Sequence, residues 1–226
     1  MSNETGLSIP ASEFGVAKYA DPQAFTEVTS ASFLPRLQLM GGNSELVKEG
    51  KIGIGRWALL RNKDQFVDLG PQVDALILSW RPKAMELKDN NSVVLSFFNP
   101  KDEAFRKVME KSEVPNSGCM YGPEYLVWLP APHNVYLSFF MASKTARREA
   151  PMVQALMHKF ATLKIRLIKT AKFSWHGPVV TGCTTTYEVP VKEELLEQVN
   201  KFNNPPENEI ESAPDDAGAD GQPRDR

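Results

Sequence analysis

Short alternations of apolar and polar residues, broken by Gly, Pro and Asn, run through the middle of this chain and predict strands rather than long helices. In residues 33–40, Leu37 and Leu39 alternate with Arg36 and Gln38, and Gly41-Gly42-Asn43-Ser44 then breaks the strand. Ser44 is placed to cap a turn of helix through Lys48, with Gly50 as its stop. Residues 51–60 read as a second strand with Gly53 and Gly55 inside it, 73–80 as a buried strand and 92–98 as another. Residues 102–111 have helical spacing, with Phe105, Val108 and Met109 on one face. Residues 124–129 and 134–141 form a hairpin across Pro130-Ala131-Pro132-His133, and Pro151 opens a helix whose apolar positions are Val153, Leu156, Met157 and Phe160. A second hairpin is predicted from 163–175 and 179–189 across His176-Gly177-Pro178. A last helix after Pro190 buries Leu195, Val199 and Phe202 and stops at Asn203-Asn204-Pro205-Pro206.

These elements do not alternate as a parallel α/β sheet requires. The expected class is mainly β with a few helices (α+β), built as an OB-like antiparallel barrel with helical insertions. Residues 1–30 read as a polar N-terminal arm, 31–204 as a single β-rich domain and 205–226 as a disordered acidic tail with too few apolar residues to offset its ordering entropy.

Charge sharpens this division. The chain nets −2, yet from Lys144 to Lys172 eight bases face Glu149 alone, whereas residues 192–226 hold ten acids against four bases. A basic body with an anionic tail suggests a polyanion-binding surface and a tethered competitor for it. The two cysteines, Cys119 and Cys183, have no metal or redox spacing. No signal peptide or apolar run of membrane-spanning length is read, so a cytoplasmic protein without a membrane partner is expected.

Within 161–175, Lys164 and Arg166 alternate with Leu163, Ile165 and Leu167, and Lys169 and Lys172 carry the charge on toward Phe173 and Trp175. Cations beside flat rings suit single-stranded nucleic acid: the bases follow phosphates and the rings stack under unpaired bases. Lys144, Arg147 and Arg148 precede the helix at Pro151, whose first N–H groups would help hold an anion. Arg56-Trp57 and Trp80-Arg81-Pro82-Lys83 repeat the pairing of a base with a ring. Gly53 and Gly55 lack the Gly-Lys-Ser or third glycine of a nucleotide loop, and His133, His158 and His176 have no ligand spacing, so no cofactor or metal is expected. His176 and Cys183 are the one pairing with the chemistry of a base and a nucleophile, and no motif surrounds them.

The blocks at 33–40 (FLPRLQLM), 49–60 (EGKIGIGRWALL), 78–86 (LSWRPKAME), 117–130 (SGCMYGPEYLVWLP), 143–151 (SKTARREAP), 163–170 (LKIRLIKT) and 175–181 (WHGPVVT) resemble one family of tailed-phage proteins that has no firm catalytic role. In layout the chain also resembles phage OB-fold single-stranded-DNA-binding proteins. That resemblance implies a non-catalytic protein of phage replication or recombination, with single-stranded DNA and replication or recombination proteins as partners. The tail departs from such proteins in ending Gln222-Pro223-Arg224-Asp225-Arg226, with no aromatic hook. The resulting candidate interface is Lys144, Arg147, Arg148, Lys164, Arg166, Lys169, Lys172, Phe173, Trp175, Arg56, Trp57, Trp80, Arg81 and Lys83. The other reading open to the sequence is a phage protein-interaction or assembly factor, and nothing in the sequence fixes oligomeric state.

Overall fold

The computed structural model describes residues 34–61, 64–88, 93–204 and 210–212. In chain order these form β1 (Arg36–Leu39), α1 (Glu45–Lys48), β2 (Trp57–Leu60), β3 (Phe66–Gly70), β4 (Gln72–Lys88), β5 (Val93–Phe97), α2 (Glu103–Lys111), β6 (Cys119–Leu129) and β7 (Val135–Phe140). There follow α3 (Lys144–Arg147), α4 (Ala150–Ala155), β8 (Phe160–Lys169), β9 (Ser174–Gly182), α5 (Lys192–Asn203) and β10 (Ile210–Ser212). The predicted arm at 1–30 lies outside the described residues.

All the strands join one mixed sheet in the order β10-β5-β4-β6-β7-β1-β2-β3, with β8 on β4 and β9 on β8. The protein is therefore mainly β with a few helices, but the sheet is not closed and one pair, β1 with β7, is parallel. The closure expected of an OB-like barrel is missing because β3 and β10 end the path unpaired with each other.

β4 organises the sheet. It is 17 residues long and runs on through Pro82, beyond the 73–80 read from the sequence. Pro82 lies opposite Pro123 of β6 in the register, so the missing amide donors coincide at one rung of the ladder. Strand alternation divides its side chains between the two faces: Val73, Ala75 and Ile77 enter the main core, while Leu76 and Leu78 enter a second cluster. The main core draws on β1–β4 and β6–β9, and Ala146, Ala150 and Val153 close it from α3 and α4. Elsewhere α5 covers Leu76, Leu126, Trp128 and Phe160 through Leu195, Val199 and Phe202; α1 covers Ala58 and Leu60 through Leu46; and α2 covers Ala84 and Cys119 through Phe105 and Val108.

On one edge of β4, β8 pairs with Gln72–Leu76 and β5 pairs with Ala84–Lys88. The end of α5 fills the interval between them. Ser79 Oγ donates to Asn203 Oδ1 at 2.9 Å, and Arg81 donates to the Phe202 carbonyl. The Arg81 guanidinium lies between the Phe98 and Phe202 rings, 3.7 and 4.2 Å from their centroids.

Arg81 also meets Glu124, which is 1% exposed. Glu124 accepts from Arg81 Nε at 2.7 Å, Lys83 Nζ at 3.0 Å and Ser138 Oγ at 2.6 Å, and so ties β4, β6 and β7 together. Burial pushes this carboxyl up, but the Lys83 and Arg81 charges and the Ser138 hydroxyl outweigh it and hold it at about 2. Because the folded value is depressed, the network's stabilisation is present above the unfolded value of 4.5 and is lost as pH falls toward 2. Chemical denaturation at graded pH should show a loss on the order of 3 kcal/mol across that window. Glu124→Gln should cost about 3–5 kcal/mol at neutral pH, by leaving buried Lys83 and part-buried Arg81 without their anion, and should flatten the acid limb.

Candidate nucleic-acid interface

β8 leaves the sheet partway along its length. It pairs with β4 only over Phe160–Lys164, and beyond Lys164 its one partner is β9. The outer part of β8 and β9 is thus a two-stranded ribbon. The stretch 160–182 carries Lys164, Arg166, Lys169 and Lys172 and no acid. The ribbon turns at 170–173, where the Phe173 carbonyl accepts from Thr170 N at 2.8 Å and from Thr170 Oγ1 at 3.0 Å, and Thr170 Oγ1 accepts from Phe173 N at 3.0 Å. This corrects the expected turn at 176–178. A threonine hydroxyl that bonds locally outcompetes the Gly177-Pro178 signal, and those two residues lie within β9.

One ribbon face carries Lys164, Arg166 and Ile168, with Trp175 opposite Ile168. On the other, Leu163 and Ile165 pack in or against the core, whereas Leu167 is 46% exposed because it lies beyond the sheet. Lys164 and Arg166 share a face as read, whereas Lys169 falls on the face of Leu163, Ile165 and Leu167, and that face serves the core only as far as Ile165. His176, opposite Leu167, seats the ribbon against the β1–β2 loop at Gly55, where a Cβ would come within 2.6 Å of the imidazole and φ is +68°.

The ribbon also docks on the segment containing α3. Trp175 Nε1 donates to Thr145 Oγ1 at 3.1 Å, so Trp175 is half-buried beside α3 rather than at a hairpin tip. Glu149 accepts the Val180 amide at 3.2 Å, satisfying an edge donor of β9, and lies 3.8 Å from Arg166. Thr145 and Glu149 were not singled out by sequence. The available signal was that Glu149 is the lone acid among eight bases. Glu149 also stands at the N-cap of α4, so the anion site expected there is already opposed by a carboxylate.

The candidate bases fall into two groups. Arg148, Lys164, Lys169 and Lys172 are exposed and make no ion pair among the described residues, and Arg166 is held only loosely. Lys144 and Arg147 share Glu113 at 3.3 Å each, and Arg147 also donates to the Tyr121 carbonyl. Hydrogen bonding and charge from Lys144, with Arg147 behind it, hold the Glu113 carboxyl below its usual range.

Five other candidates do not join the ribbon as free groups. Arg56 Nε is bound to both oxygens of Asp68, at 2.8 and 2.6 Å. Trp57 is fully buried, edge-on to Phe139 at 5.6 Å, which corrects its assignment to base stacking. Arg81 and Lys83 are consumed by Glu124, because a buried carboxylate needs both. Trp80 is 45% exposed, but it stands eight residues beyond Gln72 on β4, roughly 26 Å from the ribbon base along the strand.

Cys183 and His176 are not a catalytic pair. Seven residues, roughly 23 Å of nearly continuous extended chain, separate them along and just past β9. Cys183 Sγ instead donates to Asp74 Oδ2 at 3.2 Å, which also accepts from Tyr187 at 2.5 Å, and burial above all raises its thiol pKa. Cys119 is buried and likewise raised by burial. Among the described residues no cluster of three metal-ligating side chains occurs, and no helix is long and apolar enough to cross a membrane.

No protein-family model, curated protein or solved structure matches the chain.

Trp57 and Trp128 are buried, so in a Trp80→Phe background Trp175 is the accessible indole of the described body. Thr145→Val should raise acrylamide quenching of that indole and red-shift its emission, at a stability cost of about 1 kcal/mol for one lost hydrogen bond. Unchanged quenching would mean that packing alone, rather than the Thr145 bond, holds the ring.

Proposed function

We propose that the chain is a non-catalytic single-stranded-DNA-binding protein whose contact surface is the β8–β9 ribbon with Arg148 beside it. The observation that carries this reading is an acid-free, two-stranded projection whose lysines make no ion pair among the described residues and whose Arg166 meets only Glu149, at 3.8 Å, while the other candidate bases are neutralised by Glu113, Asp68 and Glu124. Lys164, Arg166, Lys169, Lys172 and Arg148 follow the phosphates, and Trp175 and Phe173, each half-buried, offer ring faces to bases. The curled sheet, in layout akin to OB-type barrels, serves as the rigid mount. The resemblance in layout to phage single-stranded-DNA-binding proteins supports a role in replication or recombination.

Fluorescence anisotropy with labelled single- and double-stranded oligonucleotides at graded salt tests this reading. With about four of these five bases on phosphates at one time, log K should fall against log salt with a slope of about −3, at roughly −0.7 per contact. Lys164→Ala/Lys169→Ala/Lys172→Ala should flatten the slope to about −1, and Trp175→Ala should cost about 1–3 kcal/mol of binding. Absence of binding at low salt overturns the reading in favour of a protein-assembly role, and preference for duplex overturns the single-strand assignment.

A further inference from the structure

β1 and β7 share a single rung, Arg36 with Ser138, where the Ser138 amide donates to the Pro35 carbonyl at 2.9 Å. Beyond that rung the two strands follow different partners. β1 runs on beside β2 through Leu39, whereas β7 stays on β6 through Phe140, so 37–39 and 139–140 flank a gap in the sheet. The gap holds a cavity of about 110 Å³, also lined by Ser143 and Ala146 from the α3 segment and by His176 and Pro178 of β9. Strand alternation gives it two sides. Lys83, Glu124 and Ser138 line it from one face of the sheet, and Leu39, Trp57 and Phe139 from the face of the main core.

The polar groups of this cavity are short of an acceptor. Glu124 is already satisfied by Arg81, Lys83 and Ser138, and it is one carboxylate against two cations, so a positive charge is left over in the interior. Lys83 is 7% exposed and gives one of its three donors to Glu124. Its ammonium also lies 5.6 Å from the centroids of both the Phe98 and the Phe140 rings, which attract the charge without satisfying a donor. From the core side, Trp57 Nε1 can only donate, and it is buried with no hydrogen-bond partner among the described residues. His176 Nδ1 is in the same position, while the Nε2 edge of that ring rests on Gly55. A buried donor left unmade is among the costly features of a fold, and donors that stay unmade around one cavity call for an acceptor inside it. Met85, Met120 and Ala146 make much of the remaining wall apolar.

We propose that the gap between β1 and β7 is a binding site for a short-chain carboxylate, with its oxygens on Lys83 and Trp57 and its chain against the apolar wall. The carboxylate supplies both the missing negative charge and the missing acceptors. The size follows from volume: a cavity of about 150 Å³ takes the six carbons of benzene, so one of about 110 Å³ takes roughly five heavy atoms. Propionate has that size. A cation is opposed by the surplus positive charge, and inorganic phosphate matches the charge but leaves the apolar wall uncovered. The site does not depend on the nucleic-acid reading.

In protein labelled with nitrogen-15 tryptophan, each of the four indole N–H groups gives its own resonance, and Trp57→Phe identifies that of Trp57. Propionate titrated at constant pH and ionic strength should move this resonance downfield and saturably as the N–H gains an acceptor. Propionamide, of the same shape without the charge, should leave it in place. Ala142→Leu adds bulk at the cavity wall without removing a polar group and should abolish the shift. Lys83→Met should weaken propionate binding about tenfold or more, the range of one charge-assisted hydrogen bond. If Lys83→Met does not fold, Ala142→Leu and the amide still decide. The absence of a saturable shift means that the cavity holds water only, and overturns the site. Propionamide acting as well as propionate overturns the role of charge, and phosphate acting as well overturns the carboxylate assignment. An undiminished shift in Ala142→Leu puts the ligand elsewhere and overturns the proposal too.

Discussion

A buried carboxylate with two cations sets the layout of this molecule. Glu124 on β6 is enclosed by the sheet and held ionised by Lys83 and Arg81 of β4, with Ser138 of β7 completing its hydrogen bonds. Neither cation can move without stranding a charge in a low-dielectric interior, so the register of three central strands is fixed around it. Arg81 extends the constraint outward: its guanidinium is sandwiched by Phe98 and Phe202 and donates to the Phe202 carbonyl, which anchors the end of α5 on β4. That anchor occupies the middle of one β4 edge. β8 and β5 are left only the two ends of that edge, and β8 runs on past its end as the ribbon.

Elements with a strong period and clear stops were legible in the sequence. The helix with Phe105 and Val108 inward, the hairpin before and after 130–133, and the helix that buries Phe202 all stand as read. The failures have specific causes. The strand read at 73–80 runs on through Pro82, because a proline opposite another proline can stay in a strand. Gly53 and Gly55 read as a bulge or a close backbone approach within a strand; 51–56 lie outside any strand and β2 begins only at Trp57, while Gly55 does approach His176 closely. Ser44 stands at the N-cap of α1, but its hydroxyl points at Met40 Sδ, 3.6 Å away, instead of capping the helix. β3 gives a weak signal because Val67 is its one buried apolar side chain, with Leu69 only partly buried against the main core.

The candidate interface was legible as charge but not as geometry. Sequence shows that a base is present; it does not show which acid lies across the fold. Lys83 and Glu124 are far apart in the chain and in contact in the protein, as are Arg147 and Glu113. Likewise the chain order 176–178 predicts a turn, while a hydroxyl at Thr170 decides where the turn forms and so moves Trp175 from a tip to a docked position beside Thr145.

The distribution of acids in the body is itself an argument about the ribbon. Asp68, Glu113 and Glu124 neutralise Arg56, Arg147, Lys144, Arg81 and Lys83, each of which packs against or lies close to structured elements. Lys164, Lys169 and Lys172 have no such partner, and mutual repulsion among like charges on a narrow ribbon opposes its folding. The ribbon gains little core burial in return, for beyond Ile165 its apolar Leu167 faces solvent. A fold selected for stability alone would place acids across these strands, where cross-strand pairs of opposite sign stabilise. The chain instead concentrates its acids after Lys192 and pairs part of that segment to β5, at the opposite end of β4. Charge of one sign is thus left uncompensated on the element that leaves the sheet, which is the arrangement an anionic ligand can complete.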